Sequence, residues 1–430
     1  MISLLKLARI AKYYISDVNR IWKNEEKIEE YRQKCFKKIL KKAEKTPLYR
    51  KKYKGIDLNK VSLYNIEKLP ILTKDDLRKN FPEGIIPSNF KINKAYLVST
   101  SGSTGKPVSI YTDFYGIIKA MMGFLRELKE YEVNWRKDKL SIIADLTPRA
   151  IEEAYLKKAM LFKFNNIQIL HVGEDVKKLI EKIDRFKPKF IGGYPGVLRT
   201  MAILKKRGYG KNISPDVMAS SGAILDEYTK KYIEEAFEAE LYDVYGSTEA
   251  GPIAFQCKKK KYHIHHDMVH VEFPNNNIVV TRLYGNATPI IRYNGLNDIV
   301  HRTNRNCSCG INSPLIEKIE GRKADVIITP RRIIAPLSIT GIPLKVMDKL
   351  NCYKIEQFQI VQESFDEINI FLVIKESNED IKKKIIKEMK KEYERKINDG
   401  VKIEVFEVDE IKSSKVIPPV VVSKVKSIYM

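Results

Sequence analysis

Between Ala95 and about Asp298 the chain alternates short apolar runs with longer segments whose apolar residues recur at helical spacing. KLSIIADL, NIQILHV, KFIGGYP, DVMASSGA and AELYDVYG each read as a buried strand that leads into a loop. EDVKKLIEKIDRF and DEYTKKYIEEAF, which lie between them, carry the three-to-four spacing of amphipathic helices. Such alternation predicts an α/β domain with mostly parallel strands, whose ligands bind in loops beyond the carboxyl ends.

The flanks have a different texture. Residues from Ile2 to about Tyr53 read as helical up to TPLYRKKY, where Pro47 restricts any helix running into it. LPILTKDDLRKNF then gives a turn at Pro70 and a helix capped by Thr73, with acidic residues in the first turn. Downstream, VHVEF, NNIVVTRL and PIIRYNGLNDIVHR read as hairpin-forming strands. After Gly321 a smaller α+β unit mixes FQIVQE, INIFLVIK and VKIEVFEV with one basic helix. The predicted division is an N-terminal domain over 1–324 and a C-terminal domain over 325–430.

Composition narrows the class. A chain of 430 residues, 43% hydrophobic, is too long for one ordinary domain. No apolar run approaches the roughly 20 residues of a membrane span, and MISLLKLARIAKYYISDVNR lacks the uninterrupted apolar centre of a signal peptide. A cytoplasmic protein is expected. The net charge of +24 would point to nucleic acid or anionic lipid if it were gathered on one face. In DIKKKIIKEMKKEYERKINDG, however, Ile381, Ile385, Met389 and Tyr393 mark one buried helix face and leave the lysines solvated. Nucleic acid is therefore not the expected partner.

Two loops carry candidate chemistry. In VSTSGSTGKPVSI, Gly102 and Gly105 free backbone amides, Ser101, Ser103 and Thr104 add hydroxyls, and Lys106 adds a charge, a set suited to cradling phosphate. It is not a Walker A loop, which needs four residues between its glycines and a hydroxyl after the lysine. In LYDVYGSTEAGP, Tyr245, Thr248 and Glu249 offer an aromatic face, a hydroxyl and a carboxylate fit for a base, a phosphate and a magnesium ion. Asp298 offers a carboxylate for a ribose diol, and Arg322 a guanidinium for phosphate.

In order and wording these segments resemble the adenylate-forming superfamily, and within it the phenylacetate-coenzyme A ligases and the CapK-type proteins associated with capsular polysaccharide synthesis. TPLYRKKY, LPILTKDDLR, STSGSTGKP, YGSTEAG and PIIRYNGLND carry the likeness across nearly the whole chain. The resemblance implies a large N-terminal adenylate-forming domain followed by a small mobile C-terminal lid. It also implies a two-step reaction: a carboxylic acid attacks the α-phosphorus of ATP, and the acyl group then passes to coenzyme A, or to an amine or hydroxyl acceptor such as a sugar. Tyr245 and the adjoining Gly246 would lie at adenine, Thr248 at the α-phosphate, Glu249 at magnesium, and Asp298 at the ribose. Ser221, Gly222 and Ala223 would line the adenine side, GGYPGVLRTMA would border the acyl pocket, and a homodimer is the implied oligomer. The lid departs from the pattern: Ala324 precedes Asp325 where relatives carry paired acidic residues, and Lys415 follows Ser414 where relatives have glycine, with Lys412 as the alternative.

Five cysteines make no disulfide framework in a chain of this length. Cys257, His263, Cys307 and Cys309 suffice for a structural tetrahedral zinc site, with His265 or His266 as alternatives to His263. Cys35 and Cys352 read as packing residues. The competing reading from another class is a basic nucleic-acid- or membrane-binding protein without ATP turnover, which predicts salt-sensitive binding and no ATP consumption.

Overall fold

The computed structural model describes residues 4–100, 107–159, 165–274, 277–322, 326–334, 336–397, 399–412 and 419–425. The N-terminal helices are α1 (Leu4–Asp17), α2 (Glu25–Ala43), α3 (Pro47–Lys52) and α4 (Lys74–Asn80). As expected, no helix runs into Pro47: α2 ends at Ala43, and Pro47 instead opens α3, where the first helical position needs no N–H from it. The expected cap at Thr73 is present as a full capping box, with Asp76 returning the hydrogen bond.

Strands β1 (Ala95–Ser99) and β2 (Ser109–Asp113) form an antiparallel hairpin ahead of α5 (Phe114–Glu130). The alternating region follows as β3 (Leu140–Ala144), α6 (Ile151–Ala159), β4 (Ile167–His171), α7 (Val176–Phe186), β5 (Phe190–Gly193), α8 (Pro195–Lys206), β6 (Val217–Ser221), α9 (Glu227–Phe237) and β7 (Glu240–Ser247). It continues as β8 (Gly251–Gln256), β9 (Tyr262–Ile264), β10 (Val269–Glu272), β11 (Val279–Arg282), β12 (Asp298–Thr303) and β13 (Leu315–Arg322). The main sheet has the order β12-β13-β9-β8-β7-β6-β5-β3-β4.

Only part of this sheet matches the expectation of mostly parallel strands. From β4 to β7 every pairing is parallel, as the helical crossovers require. From β7 to β12 every pairing is antiparallel, because a tight turn at Thr248–Ala250 sends β8 straight back along β7.

Helix α5 lies across one face of the sheet. Its buried Arg126 makes two 2.8 Å hydrogen bonds to Asp267, both side chains fully sealed from solvent, and also donates to the carbonyls of Asp17 and Val18. One guanidinium thus joins the end of α1, the middle of α5 and the segment ahead of β10. On the opposite face α7, α8 and α9 cover an apolar core that includes Ile191, Met218 and Leu241.

That core continues into a C-terminal unit made of β14 (Ile327–Ile328), β15 (Ile333–Ile334), α10 (Ile342–Lys349), β16 (Ile355–Ser364), β17 (Glu367–Ile374), α11 (Glu379–Ile397), β18 (Lys402–Glu407) and β19 (Val421–Ser423). Its four-stranded sheet has the order β18-β17-β16-β19. Ile385, Met389 and Tyr393 form the buried face of α11 as expected, and Ile381 packs against the same core. The unit docks on α8 and α9: the Tyr228 hydroxyl donates to Asp348, and the Arg199 guanidinium sits 4.8 Å from the Phe358 ring centre. The expected division at 324/325 falls on residues 323–325, outside the described residues. Among the described residues no helix is long and apolar enough to cross a membrane.

Candidate active site and metal centre

The carboxyl ends of β3, β5, β6 and β7 open into a cavity of about 1400 Å³ whose remaining walls come from α5, α8, β12 and the C-terminal unit. Of the predicted nucleotide residues, Ser221, Gly222, Ala223, Tyr245, Gly246, Thr248, Glu249 and Asp298 all line it. Gly192, Gly193 and Tyr194 of the GGYPGVLRTMA stretch line it as well.

Residues 101–106, which contain Ser101, Gly102, Ser103, Thr104, Gly105 and Lys106, lie outside the described residues. The flanking backbone is fixed. Thr100 N donates to the Val108 carbonyl at 2.9 Å, and Val108 N donates to the Thr100 hydroxyl at 2.9 Å. Thr100 and Pro107, which flank 101–106, both line the cavity.

Glu249 is buried, and its Oε1 accepts a 2.6 Å hydrogen bond from the Tyr293 hydroxyl. Arg282 donates from one nitrogen to the Glu249 carbonyl at 3.2 Å and from the other to the Thr288 carbonyl at 2.7 Å, which locks the backbone beneath the carboxylate. A hard divalent cation seeks such a positioned carboxylate, and the donor set fits magnesium. Tyr293 escaped the sequence reading, although it stands in PIIRYNGLND beside Asp298; only the carboxylate there signalled chemistry.

The Tyr245 hydroxyl donates to Asp298 Oδ2 at 2.5 Å. Two residues predicted from separate motifs thus meet, and Asp298 stands opposite Arg322 in the β12–β13 backbone register. Gly222 has a φ of +82°, and a Cβ there would lie 2.5 Å from Tyr194 Cε1. Only glycine permits this close approach. The Tyr194 hydroxyl donates to Glu152, and burial pushes the Glu152 carboxyl upward. Asp243, two residues before Tyr245, accepts from the Tyr262 hydroxyl at 2.5 Å, and burial pushes its carboxyl up to about 7.

Near the end of the chain, Lys415 lies outside the described residues, whereas Lys412 is exposed and pairs with Glu410 at 3.6 Å. The neighbouring Ile411 lines the cavity, as do Pro419 and Val420. The undescribed stretch 413–418 is thus bracketed by cavity-lining residues.

The cysteine and histidine cluster lies apart, and none of its members lines the cavity. One ligand atom from each of Cys257, His263, Cys307 and Cys309 falls within 4.8 Å of the others. Cys257 Sγ and Cys307 Sγ are 3.7 Å apart, close to the roughly 3.8 Å edge of a zinc–thiolate tetrahedron. His263 Nε2 is 3.2 Å from Cys309 Sγ, while its Nδ1 meets the Ser313 hydroxyl at 3.0 Å, an outer partner that fixes the ring. The alternatives fall away: His265 is engaged by Arg126 and Glu127, and neither it nor His266 belongs to the cluster. The donor chemistry fits zinc.

No family model matches the chain. It is similar to protein CapK of Staphylococcus aureus, with 26% identity over 408 residues, 91% of this chain and 87% of that protein. Its structure is similar to 2-hydroxyisobutyryl-CoA ligase in the postadenylation state with R3-HIB-AMP, at a TM-score of 0.75 and 18% identity, covering 92% of this chain and 89% of that one. The thioesterification state of the same ligase, with 2-HIB-AMP and CoA, gives a TM-score of 0.62 at 18% identity, covering 93% and 90%.

Proposed function

We propose, for a chain that has the fold of an acyl-CoA ligase, that it is an ATP-dependent, AMP-forming carboxylate ligase. A carboxylic acid attacks the α-phosphorus of ATP, one P–O bond forms as the bond to pyrophosphate breaks, and the acyl-adenylate remains in the cavity. The observation that carries this reading is the convergence of Tyr245, Thr248, Glu249 and Asp298, with Ser221–Ala223, on one cavity at the carboxyl edge of the parallel strands.

Within that cavity Tyr245 offers a ring to the adenine and Asp298 a carboxylate to the ribose. Thr248 offers a hydroxyl to the α-phosphate, and Arg322 a charge from the adjoining strand. Glu249 would hold the magnesium ion, which supplies charge neutralisation on the phosphates when bound. Lys106 and the hydroxyls of 101–105 complete the phosphate cradle, and Lys415 serves the adenylation step from the C-terminal unit. Cys257, His263, Cys307 and Cys309 hold a zinc ion that is purely structural, since four protein ligands leave no open position.

The acyl group then passes to coenzyme A, and the C-terminal unit acts as the lid that turns between the half-reactions. The better superposition on the postadenylation form than on the thioesterification form supports reading this arrangement as the adenylating one. A second acceptor, an amine or hydroxyl such as one on a sugar, is favoured by one observation: CapK shares more sequence with this chain than the coenzyme A ligase does. Incubating the protein with ATP, magnesium and a panel of acids, then adding coenzyme A or an amino sugar, tests the reading. Acid-dependent AMP and pyrophosphate formation supports it, and the acceptor that accelerates turnover identifies the second step.

A further inference from the structure

The cavity runs past the nucleotide-side residues into the space between α5 and the sheet, where Ala120, Met121, Phe124 and Glu127 of α5 line it. Phe124 meets Phe190 at the start of β5, and Tyr131, just beyond α5, stacks on Tyr242 near the start of β7. At Phe124, helix α5 therefore packs at the amino end of β5. Gly192 and Phe190, two residues apart in β5, and Ser221 and Ala219, two residues apart in β6, all line the cavity, so on each strand it reaches one repeat, about 6.6 Å, below the carboxyl end. On the α5 side the lining extends from Ala120 to Glu127, about 10 Å of helix.

Glu127 is the one charged group that α5 gives to this lining. Its side chain is 6% exposed, and its Oε1 lies 3.1 Å from His265 Nε2. The protonation of that histidine follows from its other neighbour. His265 Nδ1 lies 3.0 Å from an Arg126 nitrogen, and a guanidinium only donates, so Nδ1 accepts and Nε2 carries the hydrogen. Glu127 Oε1 is therefore an occupied acceptor. Among the described residues its Oε2 has no hydrogen-bond partner, yet it is not sealed in. It is a largely buried polar atom at the cavity wall beside Phe124 and Phe190, a situation that is costly unless a ligand group satisfies it. Burial pushes the Glu127 carboxyl up to about 8, which favours the neutral acid, a form that can both donate to and accept from a hydroxyl.

We infer that Glu127 is a specificity-determining residue of the acyl pocket, and that the acid activated here carries a hydroxyl or amino group at the end remote from its carboxylate. The inference rests on the ligase reading above. A lining of phenylalanine and alanine alone in this region would take a plain aromatic or aliphatic acid; here Glu127 adds a hydrogen-bonding group that such an acid leaves unpaired.

The test compares isosteric acids in ATP–pyrophosphate exchange: 4-methyl-, 4-hydroxy- and 4-aminophenylacetate, and heptanoate, 6-hydroxyhexanoate and 6-aminohexanoate. The wild-type protein is expected to prefer a hydroxyl or amino member over its methyl counterpart by about tenfold or more in kcat/KM. Glu127→Leu should bring that ratio to one or invert it without changing the KM for ATP. Glu127→Gln, nearly isosteric and still able to donate and accept, should keep the hydroxyl preference. Melting curves of both variants separate misfolding from lost recognition. Exchange with the acids but no polar preference, or a preference untouched by both substitutions, would overturn the inference and leave the ligase reading standing. No exchange with any acid would overturn both.

Discussion

The Tyr245 hydroxyl hydrogen-bonds the Asp298 carboxylate at 2.5 Å, which ties the loop after β7 to the first residue of β12. The contact holds in place both the ring assigned to adenine and the carboxylate assigned to ribose. Tyr245→Phe keeps the ring and removes the tether. The KM for ATP should rise about tenfold, the worth of a hydrogen bond to a charged group, with kcat little changed. Asp298→Ala, which also removes the ribose acceptor, should raise it further. Initial rates over a range of ATP concentrations check both.

The four-ligand cluster makes a claim about stability rather than chemistry. The purified chain should contain about one zinc per molecule, and a chelator or Cys257→Ser should lower the melting temperature by about 5 °C or more. Because the cluster lies outside the cavity lining, the KM for ATP of the surviving folded protein should not move. Elemental analysis and thermal melts measure these effects, and a metal-free chain with an unchanged melt would refute the zinc assignment.

Arg126 and Asp267 form a sealed ion pair. Burial alone would push the Asp267 carboxyl up, but the Arg126 charge and hydrogen bonds outweigh it and hold the carboxyl well below the ordinary range. A depressed native pKa adds stability above the unfolded value near 4, and that stability is lost as pH falls through and below it. Arg126→Met leaves the buried Asp267 carboxylate only its 3.4 Å ion pair with Arg20 and should cost about 3 kcal/mol at neutral pH. Between about pH 5 and pH 3 the variant should lose less stability than the wild type, since its carboxyl is no longer depressed. Denaturant melts at several pH values decide this.

Gly341, the residue before α10, lies close against the N-terminal cap of α9: a Cβ there would lie 2.3 Å from Asp226 Oδ1. Asp226 cannot give way, because it caps α9 through Thr229 N at 2.9 Å and the Thr229 hydroxyl at 2.8 Å. Gly341→Ala should push α10 off α9 and slow adenylation about tenfold, a barrier increase of about 1.4 kcal/mol. An unchanged exchange rate would show that this docking contributes nothing to the first half-reaction.

What the sequence disclosed, and what it hid, follows from distance along the chain. Tyr245, Thr248 and Glu249 sit within five consecutive positions, so their chemistry was legible as a motif, and the helix–strand alternation around them was legible as period. The antiparallel half of the sheet was not, because the sharp reversal between β7 and β8 lies in GSTEAG, which reads as chemistry rather than as a turn. Glu127 was hidden in FLRELKEY, where a helix face places it beside equally polar neighbours. Only packing against His265, 138 positions away, sets it apart. The Arg126–Asp267 pair spans 141 positions and left no local trace. Tyr293 was visible as a residue but not as the support of Glu249, 44 positions earlier.

The most direct measurement of the central claim is acid-dependent exchange of labelled pyrophosphate into ATP, run side by side on the wild-type protein and Glu249→Gln. The account expects exchange that needs magnesium and a carboxylic acid, and that falls at least about a hundredfold in the variant while the fold is retained. Exchange absent with every acid and magnesium concentration, or unaffected by the loss of the Glu249 carboxylate, would contradict it.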